Sequence, residues 1–277
     1  MITINNNMYV LDTDNTSYAF AVLGSGQLEH LYYGRKLHAN EAVMTEKHTF
    51  IPGNTNVYNK DYSSYSLEDV CLEMSSLGKG DIREPFIEVT YPNGSSTTDM
   101  VFDRAEIIQG KEEYDTLPGS YDDNGEVEQL VIYLKDRNYN LTLELHYYVY
   151  EKCDIITRSA KLVNSGNESV RLERLMSMQL DLNESDYELS FFNGAWAREM
   201  NRSRIPIRAG KYVNESVTGT SSNRANPFFM IGRSSTTEDY GECYGFNLIY
   251  SGNHYEAAQV NSYGCLLYTS PSPRDTR

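Results

Sequence analysis

Hydrophobic and polar residues alternate along most of the chain. In residues 140–149, the apolar side chains at every second position are Leu141, Leu143, Leu145, Tyr147 and Val149. Successive side chains of a strand point to opposite faces, so this pattern predicts a half-buried strand. On its polar face we expect His146 to be solvated. Similar patterns predict strands over residues 17–23, 27–33, 85–90, 100–108, 127–134, 154–163, 170–182, 227–232 and 244–251.

Turn-forming residues separate these predicted strands. Asn93-Gly94 supplies the positive φ angles of a tight hairpin turn, and residues 122–125 and 164–167 have similar composition. Residues 171–180 also fit a helix, although the neighbouring alternation favours a strand. At least ten strands with no clear long helix predict an all-β fold, a large antiparallel β-sandwich (a supersandwich). Residues 38–66 are polar and irregular, as expected for a surface loop or a functional loop.

Composition and charge narrow the classes of partner. The chain has 24 Lys and Arg against 39 Asp and Glu, a net charge of -15, which disfavours nucleic acid as a partner. Its apolar runs are shorter than the roughly 20 residues that a membrane helix needs, so we expect no membrane partner. The N-terminus has no basic region followed by an apolar stretch, and we expect no secretory signal. The four cysteines are widely spaced, which favours a cytoplasmic protein with reduced thiols.

Motifs for catalysis or metal binding are missing from the sequence. There is no nucleophile elbow, no His-Glu-x-x-His pair and no phosphate-binding loop. The five histidines and four cysteines show no metal-ligand spacing. We therefore predict no catalytic residue, no metal site and no cofactor within this chain.

Three stretches are richer in functional side chains than a plain scaffold requires. Residues 65–85 contain Asp81, which could pair with Arg83; residues 193–199 contain the sole tryptophan, Trp196; and residues 219–228 form a polar segment. Aromatic rings beside hydroxyl and amide groups suit the faces and hydroxyls of sugars. The alternatives remain open at this point: Trp196 could be a packed core residue, and Arg83 could belong to a structural ion pair.

The same stretches resemble the N-terminal domain of glycoside hydrolase family 36 α-galactosidases. The similarity runs in order from about residue 18 to residue 264. It rests on these segments: GQLEHLYYG at 26–34, SLE at 66–68, GDIREP at 80–85, LPGSY at 117–121, IITRSA at 155–160, GAWARE at 194–199, SSNRANP at 221–227 and GFNLIYSGN at 245–253.

This resemblance implies a β-sandwich domain, residues 1–264, that precedes a (β/α)₈ catalytic barrel absent from this chain. Residues 265–277 have no counterpart in the family, and we expect them to be a non-native or disordered tail. The family cleaves terminal α-1,6-galactosides such as melibiose and raffinose with retention of configuration, using two barrel aspartates. We therefore expect the chain to be inactive alone, and the full-length enzyme to bind an α-galactoside oligosaccharide and to form a homo-oligomer.

The resemblance also implies three substrate-binding residues. Trp196 matches a family tryptophan that reaches the sugar pocket. Glu68 takes the place of an aspartate that some members bring to the sugar, and Arg83 matches the arginine from the loop that follows. The alternatives are a stand-alone carbohydrate-binding or structural β-sandwich module, and a different α-glycosidase such as an α-N-acetylgalactosaminidase.

Overall fold

Packing divides the chain into two compact units. The computed structural model describes residues 1–38, 57–63, 66–114, 116–184, 186–261 and 266–270. The first unit comprises residues 1–114 and 120–180, and the second comprises residues 115–119 and 181–277. A single domain over residues 1–264 was expected. Alternation reports which face of a strand is buried but not which strands share a core, so the sequence pattern did not reveal this division. Most of the predicted loop at 38–66 lies outside the described residues.

The first unit is built from antiparallel sheets. Its strands are β1 (Ile2–Asn5), β2 (Met8–Asp12), β3 (Thr16–Val22), β4 (Leu28–Arg35), β5 (Ile87–Thr90), β6 (Met100–Gln109), β7 (Glu128–Asp136), β8 (Leu141–Tyr150), β9 (Ile155–Asn164) and β10 (Arg171–Leu175). Among the described residues they form a sheet in the order β1-β2-β3-β4, a sheet in the order β6-β7-β8-β9 and a β5-β10 pair. Short 3₁₀ turns lie at Lys60–Tyr62, Leu67–Asp69 and Glu151–Cys153.

Strand β8 is buried on both faces over much of its length. All five predicted inward side chains are buried, which confirms the strand and its inner face. His146 on the other face is only 6% exposed, and its Nδ1 lies 2.9 Å from Nε2 of Gln129. Beside it, the Tyr148 hydroxyl lies 2.9 Å from the hydroxyl of Tyr114. The expectation that His146 is solvated is therefore wrong, because the segment that carries Tyr114 packs on this face.

The structure shows a turn at Asn93-Gly94 and strands within residues 171–180. Gly94 has a φ of 81°, and its N–H donates to the carbonyl of Tyr91 over 2.9 Å, which confirms a tight turn at this position. The predicted hairpin is wrong, because the flanking strands pair elsewhere, β5 with β10 and β6 with β7. Residues 171–180 contain β10 and the start of β11 (Met178–Leu182), so the strand interpretation is confirmed over the helix.

A buried polar cluster lies in the core of the first unit. The Glu73 carboxylate, 0% exposed, accepts hydrogen bonds from the hydroxyls of Tyr18 (2.6 Å) and Tyr147 (2.8 Å). It lies 2.7 Å from Nδ1 of His30 and 3.2 Å from the Arg158 guanidinium. Burial acts to raise the pKa of Glu73, but Arg158 and the hydrogen bonds outweigh it and hold this pKa below its ordinary value. Glu73 is thus a paired carboxylate inside the core.

The second unit contains two four-stranded antiparallel sheets. Its strands are the end of β11, then β12 (Tyr187–Ala195), β13 (Arg198–Pro206), β14 (Gly210–Ser216), β15 (Phe228–Arg233), β16 (Cys243–Asn247), β17 (His254–Val260) and β18 (Leu266–Ser270). Within the described residues the sheet orders are β13-β12-β15-β16 and β11-β18-β17-β14. With those of the first unit, these sheets confirm the predicted all-β, antiparallel sandwich class.

Strand β18 lies within the segment that was expected to be a tail. Leu266 pairs with Val260 of β17, and Leu266 is fully buried. Residues 266–270 were expected to belong to a non-native or disordered tail, and here they form a strand whose backbone groups pair with β17. The non-native origin of residues 265–277 stays a prediction. Residues 271–277 lie outside the described residues, and the boundary at residue 264 stays a prediction.

Candidate functional site

Trp196 lies at the tip of the hairpin that joins β12 and β13. Ala195 pairs with Arg198, so Trp196 and Ala197 form a two-residue connection. The Trp196 side chain is 91% exposed. The sequence left open whether Trp196 is a packed core residue or a binding residue. Its exposure shows that it is not a packed core residue in this chain. The indole presents an apolar ring face and an N–H donor to the surroundings, as a residue that stacks on a ligand would.

The residues around Trp196 explain why the chain turns here. A Cβ on Gly194 would collide with the carbonyl oxygen of Arg198 and lie 3.0 Å from Cα of Glu199, so only glycine fits. The strand register shifts between Asn193 and Ala195, which marks a bulge. Ala197 has a φ of 61°, and its N–H donates to the Glu199 carboxylate over 2.9 Å. The segment GAWARE therefore builds a tight, strained tip that projects the indole outward.

The polar segment at residues 219–228 is attached to this hairpin. The N–H of Asn226 donates to the Phe192 carbonyl over 3.0 Å, and its side-chain Nδ2 lies 3.2 Å from the sulfur of Met200. The rings of Phe192 and Phe228 are 5.6 Å apart. Sequence reasoning singled out both stretches but had no signal that they meet, because 26 positions separate Met200 from Asn226.

Glu68 lies in the first unit, on the 3₁₀ turn Leu67–Asp69. Ser66 caps this turn: its Oγ accepts from the N–H of Glu68 over 3.1 Å, and its own N–H donates to Asp69 over 3.1 Å. Burial raises the pKa of the Glu68 carboxyl, and the Asp81 carboxylate raises it further. Arg83 acts in the opposite direction. Glu68 is a half-buried acid that can still accept a hydrogen bond from a ligand.

Arg83 holds the turn that carries Glu68. Its side chain is 2% exposed. The guanidinium donates to the carbonyls of Leu67 (2.7 Å) and Val70, and to the Asp81 carboxylate (2.8 Å). The predicted Asp81–Arg83 pair is therefore confirmed. The structure brings Glu68 and Arg83 together in the first unit, whereas Trp196 belongs to the second unit. These contacts favour the structural role for Arg83.

The described residues offer binding groups rather than a metal centre. No group of three or more His, Cys, Asp or Glu side chains in the described ranges could hold a metal ion. None of the helical segments in the described part of the chain has the length and apolar character needed to cross a bilayer. The arrangement provides the exposed indole of Trp196 and the half-buried carboxyl of Glu68 on its capped turn.

Comparison with known proteins identifies relatives of this chain. The model of the glycosyl hydrolase family 36 N-terminal domain matches residues 26–270. The alpha-galactosidase AgaA of Geobacillus stearothermophilus is 35% identical over 260 residues, which are 92% of this chain and 35% of AgaA. The chain therefore spans about a third of the length of this relative.

Solved structures show the same similarity in three dimensions. The alpha-galactosidase from Lactobacillus brevis superimposes with a TM-score of 0.91 and 34% identity, over 96% of this chain and 37% of that enzyme. A variant of AgaA in complex with raffinose superimposes with a TM-score of 0.89 and 32% identity, over 97% of this chain and 38% of that enzyme. Together with the family-model match, these similarities confirm the resemblance found in the sequence: the chain belongs to glycosyl hydrolase family 36 and corresponds to its N-terminal domain.

Proposed function

We propose that the chain is the N-terminal domain of an α-galactosidase that removes terminal α-1,6-linked galactose from melibiose- and raffinose-type oligosaccharides. The family membership supports this proposal, as does the raffinose bound to the similar AgaA variant. The complete enzyme is a cytoplasmic homo-oligomer in this proposal.

The catalytic step belongs to residues outside this chain. A retaining glycosidase needs two carboxyls about 5–5.5 Å apart, one to attack the anomeric carbon and one to act as acid and then base. We place both on a barrel that follows the family domain. The Glu68 carboxyl already lies in the field of Asp81 and Arg83 on a capped turn, and we assign it a binding role instead.

The observation that carries the proposal is the exposure of Trp196 at the tip of a tight hairpin. A core tryptophan would be covered by the sandwich, whereas this one is 91% exposed on a turn that Gly194 and Glu199 define. We propose that the indole face packs against the sugar ring. Glu68 accepts a hydrogen bond from a sugar hydroxyl, and Arg83 contributes to binding by holding the Glu68 turn.

The test compares the chain with a chimera. Purified residues 1–277 should release no chromophore from a chromogenic α-galactoside, since the carboxylate pair is missing. Residues 1–270 joined to the part of AgaA that follows its matching domain should hydrolyse the same substrate. In that chimera, Trp196→Ala should raise KM or lower kcat.

Two results would contradict this proposal. One is turnover by residues 1–277 that survives rigorous purification. The other is a chimera that is folded by circular dichroism and elutes as a discrete species, yet hydrolyses no α-galactoside. Raffinose binding by residues 1–277 without activity of the folded chimera would favour a stand-alone carbohydrate-binding module.

A further inference from the structure

A buried acid in the second unit is connected to the Trp196 hairpin. Glu256 lies on β17 and is 2% exposed. Its Oε2 accepts a hydrogen bond of 2.8 Å from Nδ2 of Asn214 on β14. Its Oε1 is buried and has no hydrogen-bond partner among the described residues. The same Nδ2 of Asn214 donates to the carbonyl of Asn226 over 2.9 Å. Asn214 therefore joins the acid to the segment at residues 219–228.

Asn226 continues this connection to the hairpin. Its N–H bonds to Phe192 of β12, and its side chain contacts Met200 of β13, on either side of the Trp196 tip. Met200 has a φ of 56°, a conformation that a non-glycine residue holds only when its surroundings impose it. The position of the tip thus depends on Asn226, and that of Asn226 on Asn214.

We propose that Glu256, in its neutral acid form, is a positioning residue that holds the Trp196 hairpin through Asn214 and Asn226. The effect of Glu256 on galactoside binding rests on the proposed function, whereas the contacts that connect Glu256 to the hairpin are independent of it.

The surroundings of Glu256 explain why the acid form is required. The side chains that share its cavity are Leu189 and Phe191 of β12, Phe229 of β15, and Tyr212 and Asn214 of β14. The other titratable group on the same face of β17 is His254, whose pKa is lowered by burial, so it is uncharged at neutral pH. No lysine or arginine is among the described residues that line this cavity.

A carboxylate at this position would be buried without a cation. Burial raises the pKa of Glu256 to about 8, and the hydrogen bond from Asn214 only partly opposes this. A buried charge must recover hydration, so ionisation either draws water into the apolar cavity or moves the side chain out of it. Asn214 then loses its fixed acceptor, and its hold on Asn226 loosens.

The experiment uses Trp196 as the reporter, since it is the only tryptophan in the chain. Time-resolved fluorescence anisotropy of residues 1–277 is recorded from pH 6 to pH 9.5. The amplitude of fast indole motion should rise in a single transition centred near pH 8. Glu256→Gln, which is uncharged at every pH, should abolish the transition and keep the low amplitude.

Controls separate positioning from general stability. Glu242→Gln removes a carboxylate of the same unit that accepts from the Tyr244 hydroxyl, and it should leave the transition unchanged. Asn214→Ala should give the high amplitude at every pH. A transition that persists in Glu256→Gln, or far-UV circular dichroism that shows the sandwich unfolding at the same midpoint, would overturn the proposal. Neither readout involves hydrolysis, so failure of the proposed function would leave this result interpretable.

Discussion

Among single residues, Trp196 and Phe229 represent opposite environments for an aromatic side chain in the second unit. Trp196 is 91% exposed, whereas Phe229 is 2% exposed and its ring lies 5.0 Å from that of Phe246. Trp196→Ala should therefore change the free energy of unfolding by no more than about 0.5 kcal/mol, as for other surface substitutions. Phe229→Ala should cost about 3–5 kcal/mol, because it removes a buried ring and leaves a cavity.

Urea unfolding of residues 1–277 followed by circular dichroism measures both effects. Phe229→Ala is the matched control, since it shows that the assay detects the loss of one aromatic side chain in this unit. If Trp196→Ala proved as destabilising as Phe229→Ala, the indole would be part of the packing and not an exposed binding group.

Arg83 illustrates the limit of reading single residues. Its position in the sequence fitted both a sugar contact and an ion pair with Asp81. The structure shows three of its hydrogen bonds directed at the chain itself, to Leu67, Val70 and Asp81. Residue type could not distinguish the alternatives, because a guanidinium binds a backbone carbonyl, a carboxylate and a sugar hydroxyl through the same N–H donors.

At the level of elements, the β12–β13 hairpin depends on the close approach of its strands at Gly194. Gly194→Ala would place a methyl group against the carbonyl of Arg198. We expect it to cost about 1–3 kcal/mol, as overpacking does, and to increase the motion of Trp196. Urea unfolding and tryptophan anisotropy measure the two effects.

Gly245→Ala on β16 is the matched control in the same sheet. There a Cβ would lie 3.8 Å from the Phe228 ring, an ordinary contact. This substitution should leave Trp196 motion unchanged. Equal effects of the two substitutions on Trp196 would show that the hairpin tip does not depend on the close approach at Gly194.

Over the whole molecule, the two units should respond to pH in opposite directions. In the first unit the pKa of Glu73 is lowered, so its stabilisation is present above its ordinary pKa of 4.5 and is lost as the pH falls below it. In the second unit the pKa of Glu256 is raised to about 8, so its stabilisation is complete below 4.5 and is lost as the pH rises towards 8.

Hydrogen exchange with mass spectrometry tests this opposition for each unit, after correction for the intrinsic pH dependence of exchange. Between pH 6 and pH 9, protection of β14 and β17 should fall, while protection of β3 and β8 should remain. As the pH falls below 4.5, protection of β3 and β8 should fall. Glu256→Gln should remove the alkaline loss and leave the acid loss in place. Parallel loss in both units on the alkaline side would contradict the assignment to Glu256.

The sequence alone determined the strands, the turns and the family. The strand β8 and the turn at Asn93-Gly94 could be predicted because each depends mainly on residues that are neighbours in the sequence. Motifs in a fixed order also carried the resemblance to family 36. The tertiary structure decided what lies against each residue. Tyr114 bonds to Tyr148 beside His146, Trp196 is exposed, and Asn214 joins Asn226 to Glu256. Those contacts join residues far apart in sequence, and residue type and spacing cannot reveal them because burial and hydrogen bonding depend on which strands pack together.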